Sequence, residues 1–170
     1  MFSKLFYFGP SLNELHDEYA KRHRIDEAAP LKSLSDLEIN APPSLVWEAV
    51  TDLHGWSQWA PAVEVLERAE IRPDAKFKWK LNGATIQSTF AVVDNQRELN
   101  WTGIFFGFKA VDRIILEPLD GGGTRVLIEE SLAGPLLPLL YSSAKLRTNH
   151  VRWLEALKRY VETKWQRFDT

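Results

Sequence analysis

Between Lys76 and Leu81 the chain alternates without interruption: Phe77, Trp79 and Leu81 are apolar, while Lys76, Lys78 and Lys80 are cationic. Only an extended segment puts residues i and i+2 on one side, so this is a strand with a dry face and a wet one. That is the pattern of an antiparallel sheet covered on one side. Asn82-Gly83 follows at once, a pair that tolerates the positive φ angles of a two-residue hairpin. The chain returns with Ala84, Ile86, Ser88, Phe90 and Val92 on one face and Thr85, Gln87 and Thr89 on the other. After the turn Asp94-Asn95-Gln96, Leu99, Trp101, Gly103 and Phe105 alternate with Glu98, Asn100 and Thr102. Gly107 marks the next turn, and a strand runs from there to about Glu117. In the last strand Val126, Ile128, Glu130 and Leu132 oppose Arg125, Leu127, Glu129 and Ser131. An earlier strand ends in the alternation Leu37-Glu38-Ile39-Asn40.

Helical spacing takes over in two places. Pro42-Pro43-Ser44 stops the first strand and starts a helix carrying Val46, Trp47, Val50 and Leu53, followed by a short turn from Trp56 to Trp59. From about Leu136 to Trp165 a long apolar stripe runs through Leu140, Ala144, Val151, Leu154, Leu157 and Val161, widened by Leu146, His150, Trp153 and Tyr160. So broad a stripe predicts a helix covered by more than one neighbour. At the other end, Ser11-Leu12-Asn13-Glu14 has the form of a capping box and predicts a short helix to about Arg24, with Leu12, Leu15 and Tyr19 on one face. Residues 1–30 thus form an extension and residues 31–167 the main domain. The order of elements predicts an α+β fold in which a curved antiparallel sheet wraps the long C-terminal helix. A twisted sheet cannot lie flat on one helix, so the gap is either filled or left as a cavity.

Composition narrows the function. A net charge of -2 argues against bulk capture of nucleic acid. The absence of Cys removes disulfides, thiolate nucleophiles and Cys-ligated zinc, and fits a cytoplasmic setting. No transmembrane stretch is expected. The apolar run from Met1 to Pro10 is too short for a signal-peptide core; it reads as an arm packed on the domain or as a surface-active tip.

Ile39-Asn40-Ala41-Pro42-Pro43-Ser44-Leu45-Val46-Trp47, then Thr51-Asp52-Leu53-His54-Gly55-Trp56-Ser57-Gln58-Trp59, resembles the opening of the polyketide cyclase/dehydrase branch of the START-like (helix-grip, or SRPBCC) superfamily. Phe77-Lys78-Trp79, Glu98 to Gly103, and Gly122 to Val126 with Glu129-Glu130-Ser131 are similar to the same branch. The resemblance spans about Leu31 to Val161 and implies a seven-stranded antiparallel sheet gripping the last helix. It implies a hydrophobic small-molecule ligand such as a lipid, quinone or polyketide; no cofactor is expected. Relatives in this branch often carry His where this chain has Asp112, so any activity relying on that imidazole is not implied here.

Glu130 shares a face with Val126, Ile128 and Leu132; a carboxylate there is either a general acid or base with a raised pKa, or the partner of a base such as Arg113. Asp112 shares a face with Ala110, Ile114 and Leu116, but the opposite phase, with Val111, Arg113 and Ile115 inward, fits equally well. If Asp112 and Glu130 are both inward they form a candidate catalytic pair. Candidate cavity residues are Trp56, Trp59, Phe77, Trp79, Ser88, Phe90, Trp101, Ile114, Ile128, Tyr141 and Thr148. His54 and His150 lack a second ligand at metal-binding spacing and read as satisfied structural residues, so no metal is expected. The basic C-terminal helix reads as a solvated face, with peripheral membrane contact as the alternative. The oligomeric state is left undetermined by the sequence.

Overall fold

A computed structural model describes residues 5–168, the side chain of Phe168 excepted. Met1 to Lys4 of the apolar N-terminal run lie outside the described residues. Seven strands form one antiparallel sheet: β1 (Leu31–Ile39), β2 (Val63–Glu67), β3 (Lys76–Leu81), β4 (Ala84–Asp94), β5 (Glu98–Phe105), β6 (Phe108–Pro118) and β7 (Thr124–Ala133). Their order across the sheet is β1-β7-β6-β5-β4-β3-β2, so β2 to β7 form a meander and β1 closes against β7. The helices are α1 (Leu12–Glu14), α2 (Pro43–Thr51), α3 (Trp56–Trp59), α4 (Leu137–Leu140) and α5 (Ser143–Phe168). α1 continues as a π turn over Leu15–Tyr19 and a 3-10 turn over Ala20–Arg22, ending at His23 in the left-handed region.

The expected fold is present: the curved sheet grips α5. Leu154, Leu157 and Val161 of α5 and Val46 and Val50 of α2 are almost fully buried against Phe77, Phe90, Leu99, Ile114 and Val126. Ser33 and Ser35 occupy inward positions of β1, the strand against which α5 packs, and their small side chains suit a close approach. Among the described residues no helix is long and apolar enough to cross a membrane.

Three local expectations are corrected. The C-terminal helix does not run unbroken from Leu136. Leu136 adopts φ 57, α4 makes one turn, and Tyr141 is extended, so α5 starts at Ser143. In β4 the inward phase ends at Phe90, because a bulge at Ala91 shifts the register between Phe90 and Val92. The displaced Val92 N–H is satisfied by Asn100 Oδ1 at 2.8 Å.

The third concerns the outer face of the sheet, which the alternation presents as solvent-facing. Glu98, Asn100 and Thr102 are buried, at 7%, 0% and 2% exposure. The N-terminal segment lies over them. Leu15, Ala20 and Ile25 form a second small core with Ala91 and Val111. Asn100 Nδ2 donates to the Ala20 carbonyl at 2.9 Å, and the backbone N–H of Asp26 donates to Ser131 Oγ at 3.1 Å. Arg113 donates to Glu98 at 2.8 Å and to Glu129 at 2.5 Å, and His23 Nδ1 lies 2.8 Å from Glu98. Burial alone would raise the Glu98 carboxyl, but hydrogen bonds from Arg113, His23 and Asn100 hold it below its ordinary value.

Candidate functional site: a carboxyl–imidazole cluster in an apolar cavity

The sheet and α5 leave a cavity between them. An inner chamber of about 130 Å³ is walled by Trp56, Trp79, Trp101, Ile114 and Ile128. An outer chamber of about 550 Å³ continues past Ile86, Gly103 and Phe105 to Leu137, Leu140 and Tyr141. Asp112, Glu130, Asn149, His150 and Arg152 border both chambers, so the two form one space. The aromatic wall is fixed from behind. Trp56 is 1% exposed, donates its indole N–H to the Val50 carbonyl at 3.1 Å, and meets the rings of Phe77, Trp79 and Trp101 at centroid distances of 6.1, 5.8 and 5.8 Å. Such edge and tilted contacts suit the charge distribution of aromatic rings and lock the wall in place.

The phase of β6 is resolved by its register. Asp112 pairs with Trp101 of β5 and with Glu130 of β7, so all three side chains share the inner face. From the opposite side, α5 brings His150, whose Nε2 lies 2.7 Å from Glu130 Oε2. The side chains of His150 and Glu130 are only 9% and 12% exposed. One tautomer places the proton on Nε2, where it is donated to Glu130 and leaves Nδ1 as an unpaired acceptor. The other would bury an unpaired N–H, a costlier arrangement.

Electrostatics favours neutral forms throughout this cluster. Burial pushes the Asp112 carboxyl well above its usual range and the neighbouring Glu130 pushes it further, with His150 opposing. Burial raises Glu130 to about 7, with the hydrogen bond from Asp112 opposing. Burial also lowers His150, partly offset by Asp112. Asp112 therefore keeps its proton and shares it with Glu130, and Glu130 is poised to gain or lose one near neutrality. The same three residues offer ligand atoms that all lie within 4.8 Å of one another, and among the described residues they are the grouping that could hold a metal ion. Trp101 adds a further polar atom: its buried Nε1–H falls short of full hydrogen-bond geometry but is close enough to Asp112 to oppose the rise of that carboxyl.

Of the residues expected to line the cavity, Trp56, Trp79, Trp101, Ile114, Ile128 and Tyr141 do so. Five do not. Phe77 and Phe90 stack on each other at 4.4 Å within the core behind the wall. Ser88 is buried and spends its hydroxyl on the Trp79 indole N–H at 3.0 Å. Trp59 packs against Trp153 and Tyr160 of α5. Thr148 is exposed on α5, where its hydroxyl donates to the Ala144 carbonyl at 3.0 Å.

His150, read from sequence as a satisfied structural residue, belongs to the cluster. Its partner is on β7, so no spacing rule along the helix reveals it. The signal was its place in the apolar stripe, facing the side of the sheet that carries Glu130. Asn149 was also missed; its Nδ2 donates to the Tyr141 hydroxyl at 2.6 Å on the outer chamber wall. The imidazole that the resemblance puts on β6 is thus replaced by a carboxyl, and an imidazole arrives from α5 instead.

No curated protein matches the chain. Several solved structures share its fold. Hypothetical protein jhp0584 from Helicobacter pylori matches with a TM-score of 0.69 at 16% identity, over 79% of this chain and 90% of that one. A START superfamily protein from Mycobacterium smegmatis matches with a TM-score of 0.63 at 14% identity, over 78% and 97%. The Zhui aromatase/cyclase from Streptomyces sp. R1128 matches with a TM-score of 0.58 at 19% identity, over 77% and 93%. At these identities the likeness is one of fold. The family model described as "Polyketide cyclase / dehydrase and lipid transport" matches residues 34–162, most of the chain, and the protein belongs to that family.

Proposed function

We propose that the protein binds one hydrophobic small molecule, of the lipid, quinone or polyketide kind, as a carrier or binding protein. The observation that carries this reading is the cavity itself: a mainly apolar, aromatic-walled space with the Asp112, Glu130 and His150 cluster on its wall, and with Asn82, Lys145, Asn149 and Arg152 also lining it. The apolar body of the ligand fills the chambers, and a polar group of it meets the Asp112, Glu130 and His150 cluster beside Trp101 Nε1. Buried polar atoms that are incompletely paired, among them His150 Nδ1, favour a ligand that supplies a hydrogen-bonding group over one that does not. The chain has no Cys and needs no oxidising compartment, which suits a cytoplasmic setting.

The test is native mass spectrometry of freshly purified protein, followed by solvent extraction. An extra mass belonging to an apolar, oxygen-bearing molecule is expected. A bare chain that also fails to bind the cavity dye 1-anilinonaphthalene-8-sulfonate defeats the proposal.

The cluster supports a second reading, a cyclase- or dehydratase-like enzyme in which Glu130 and Asp112 move protons on the bound molecule. The Glu130→Gln variant separates the two. A carrier keeps its ligand chemically unchanged with altered affinity, whereas an enzyme retains binding and loses conversion.

A further inference from the structure

Two hairpins of the sheet have the same two-residue turn. In β3–β4 it is Asn82-Gly83, with φ 51 and 81; in β5–β6 it is Phe106-Gly107, with φ 47 and 82. Positive φ at both positions suits Asn-Gly and disfavours a large side chain at the first. Turn chemistry therefore does not account for Phe106, which stands 87% exposed at the hairpin apex. Its neighbours Phe105 and Phe108 pack beside Leu137 and Tyr141.

The same end of the molecule carries further exposed apolar side chains. Leu139 and Leu140 of α4 are each 68% exposed, and Leu136 before them is 44% exposed, also at positive φ. Leu136 N–H donates to the Leu5 carbonyl at 2.8 Å, which brings Phe6 and Phe8, 61% and 59% exposed, to this end as well. Leu137, Leu140, Phe105 and Phe108 also line the outer chamber, so the exposed apolar tip is continuous with the cavity.

Charge selects the occupant. Three segments carry these side chains: residues 5–10, 105–109 and 134–147. They contain Lys109, Lys145 and Arg147 and not one Asp or Glu, in a chain whose net charge is -2. The nearest acidic residues along the chain are engaged elsewhere: Glu14 in the Ser11 capping box, and Asp112 and Glu130 at the cavity with His150. An apolar tip flanked by cations and free of anions in its own segments matches the surface of an anionic lipid bilayer.

We infer that this end docks on anionic membrane surfaces, with Phe106 and Leu139 as the inserted side chains, and that the outer chamber opens at the bilayer. The cavity supplies the geometry, but docking does not depend on which ligand the cavity holds.

Co-sedimentation with vesicles tests it, using phosphatidylcholine alone and phosphatidylcholine mixed with phosphatidylglycerol. The intact chain is expected to sediment with the mixed vesicles, less so as salt rises, and weakly with phosphatidylcholine alone. Phe106→Asn restores the residue that the turn prefers, so the fold is kept or strengthened. Combined with Leu139→Ser it is expected to weaken vesicle binding by about tenfold or more at an unchanged or higher Tm. Arg147→Gln alone should reduce binding to mixed vesicles only. Absence of binding to either vesicle, equal binding to both, or self-association that buries Phe106 in a dimer each overturns the inference. Extraction of the same preparation reports cavity occupancy separately, so failure to dock and failure to hold a ligand are told apart.

Discussion

Asp112 and Arg113 are neighbours on β6, and Glu130 and Glu129 are their partners across β7. Because successive residues of a strand point to opposite faces, two acid-containing pairs lie back to back through one layer of backbone. On the outer face, Arg113 bridges Glu98 and Glu129, with His23 and Asn100 completing the network, and Glu98 is held ionised. On the inner face, Asp112 and Glu130 share a cavity wall with a neutral imidazole, and their carboxyls are driven toward the protonated state. The difference shows what fixes the charge of a buried acid. Burial opposes ionisation on both faces, and the outcome depends on whether a guanidinium is within reach. One face is tuned for holding the fold and the other for meeting a ligand.

The contrast can be broken most severely at Arg113. Arg113→Ala leaves Glu98 and Glu129 without their cation, and a loss of roughly 3–5 kcal/mol is expected in urea unfolding at neutral pH. A loss below about 1 kcal/mol would mean that the outer network contributes little beyond packing.

Glu130→Gln probes the other face with the opposite sign. A carboxyl whose folded pKa is raised contributes stability that is complete below its unfolded value of 4.5 and is lost as pH rises through about 7. Glu130 should therefore contribute a weakening of up to about 3 kcal/mol across that window, and the Gln variant, in which Asp112 and His150 still titrate, should show a smaller fall than the intact chain. Glu98, held low, behaves inversely and contributes stability that is lost as pH falls through the ordinary carboxylate range. Thermal denaturation of both chains across these pH values checks the pair of signs.

The smallest effect belongs to His23. Its side chain is 52% exposed, so His23→Ala should cost no more than about 1 kcal/mol although it touches the same Glu98. A larger loss would show that the N-terminal segment is pinned through this contact.

Alternation made the inner face legible in the sequence. Phe77, Trp79, Phe90, Trp101, Ile114 and Ile128 all turn inward, because a period of two leaves a strand only two choices. The same pattern could not show what lies behind it. Glu98, Asn100 and Thr102 look solvent-facing because they are polar, yet they are buried by partners that lie far away in sequence, Ala20 and His16 among them. For this reason the phase of β6 was undecidable: Val111 and Ile114 are both buried, one beneath the N-terminal segment and one over the cavity. Within the site, the carboxyls of Asp112 and Glu130 were found by their apolar company. His150 was not, since proximity across the gap between sheet and helix is a tertiary fact with no spacing rule. The Ala91 bulge, which returns Val92 to the wrong phase, left no mark in the composition of β4.

The covering of the sheet by residues 12–25 has one practical result. Recognisable likeness to the family starts at residue 34, after the cover has been passed. A chain trimmed to the recognisable part would keep every wall of the cavity and lose its own backing, wetting Ala91, Val111 and Asn100 together. What can be identified and what can stand alone are, in this protein, different stretches of sequence.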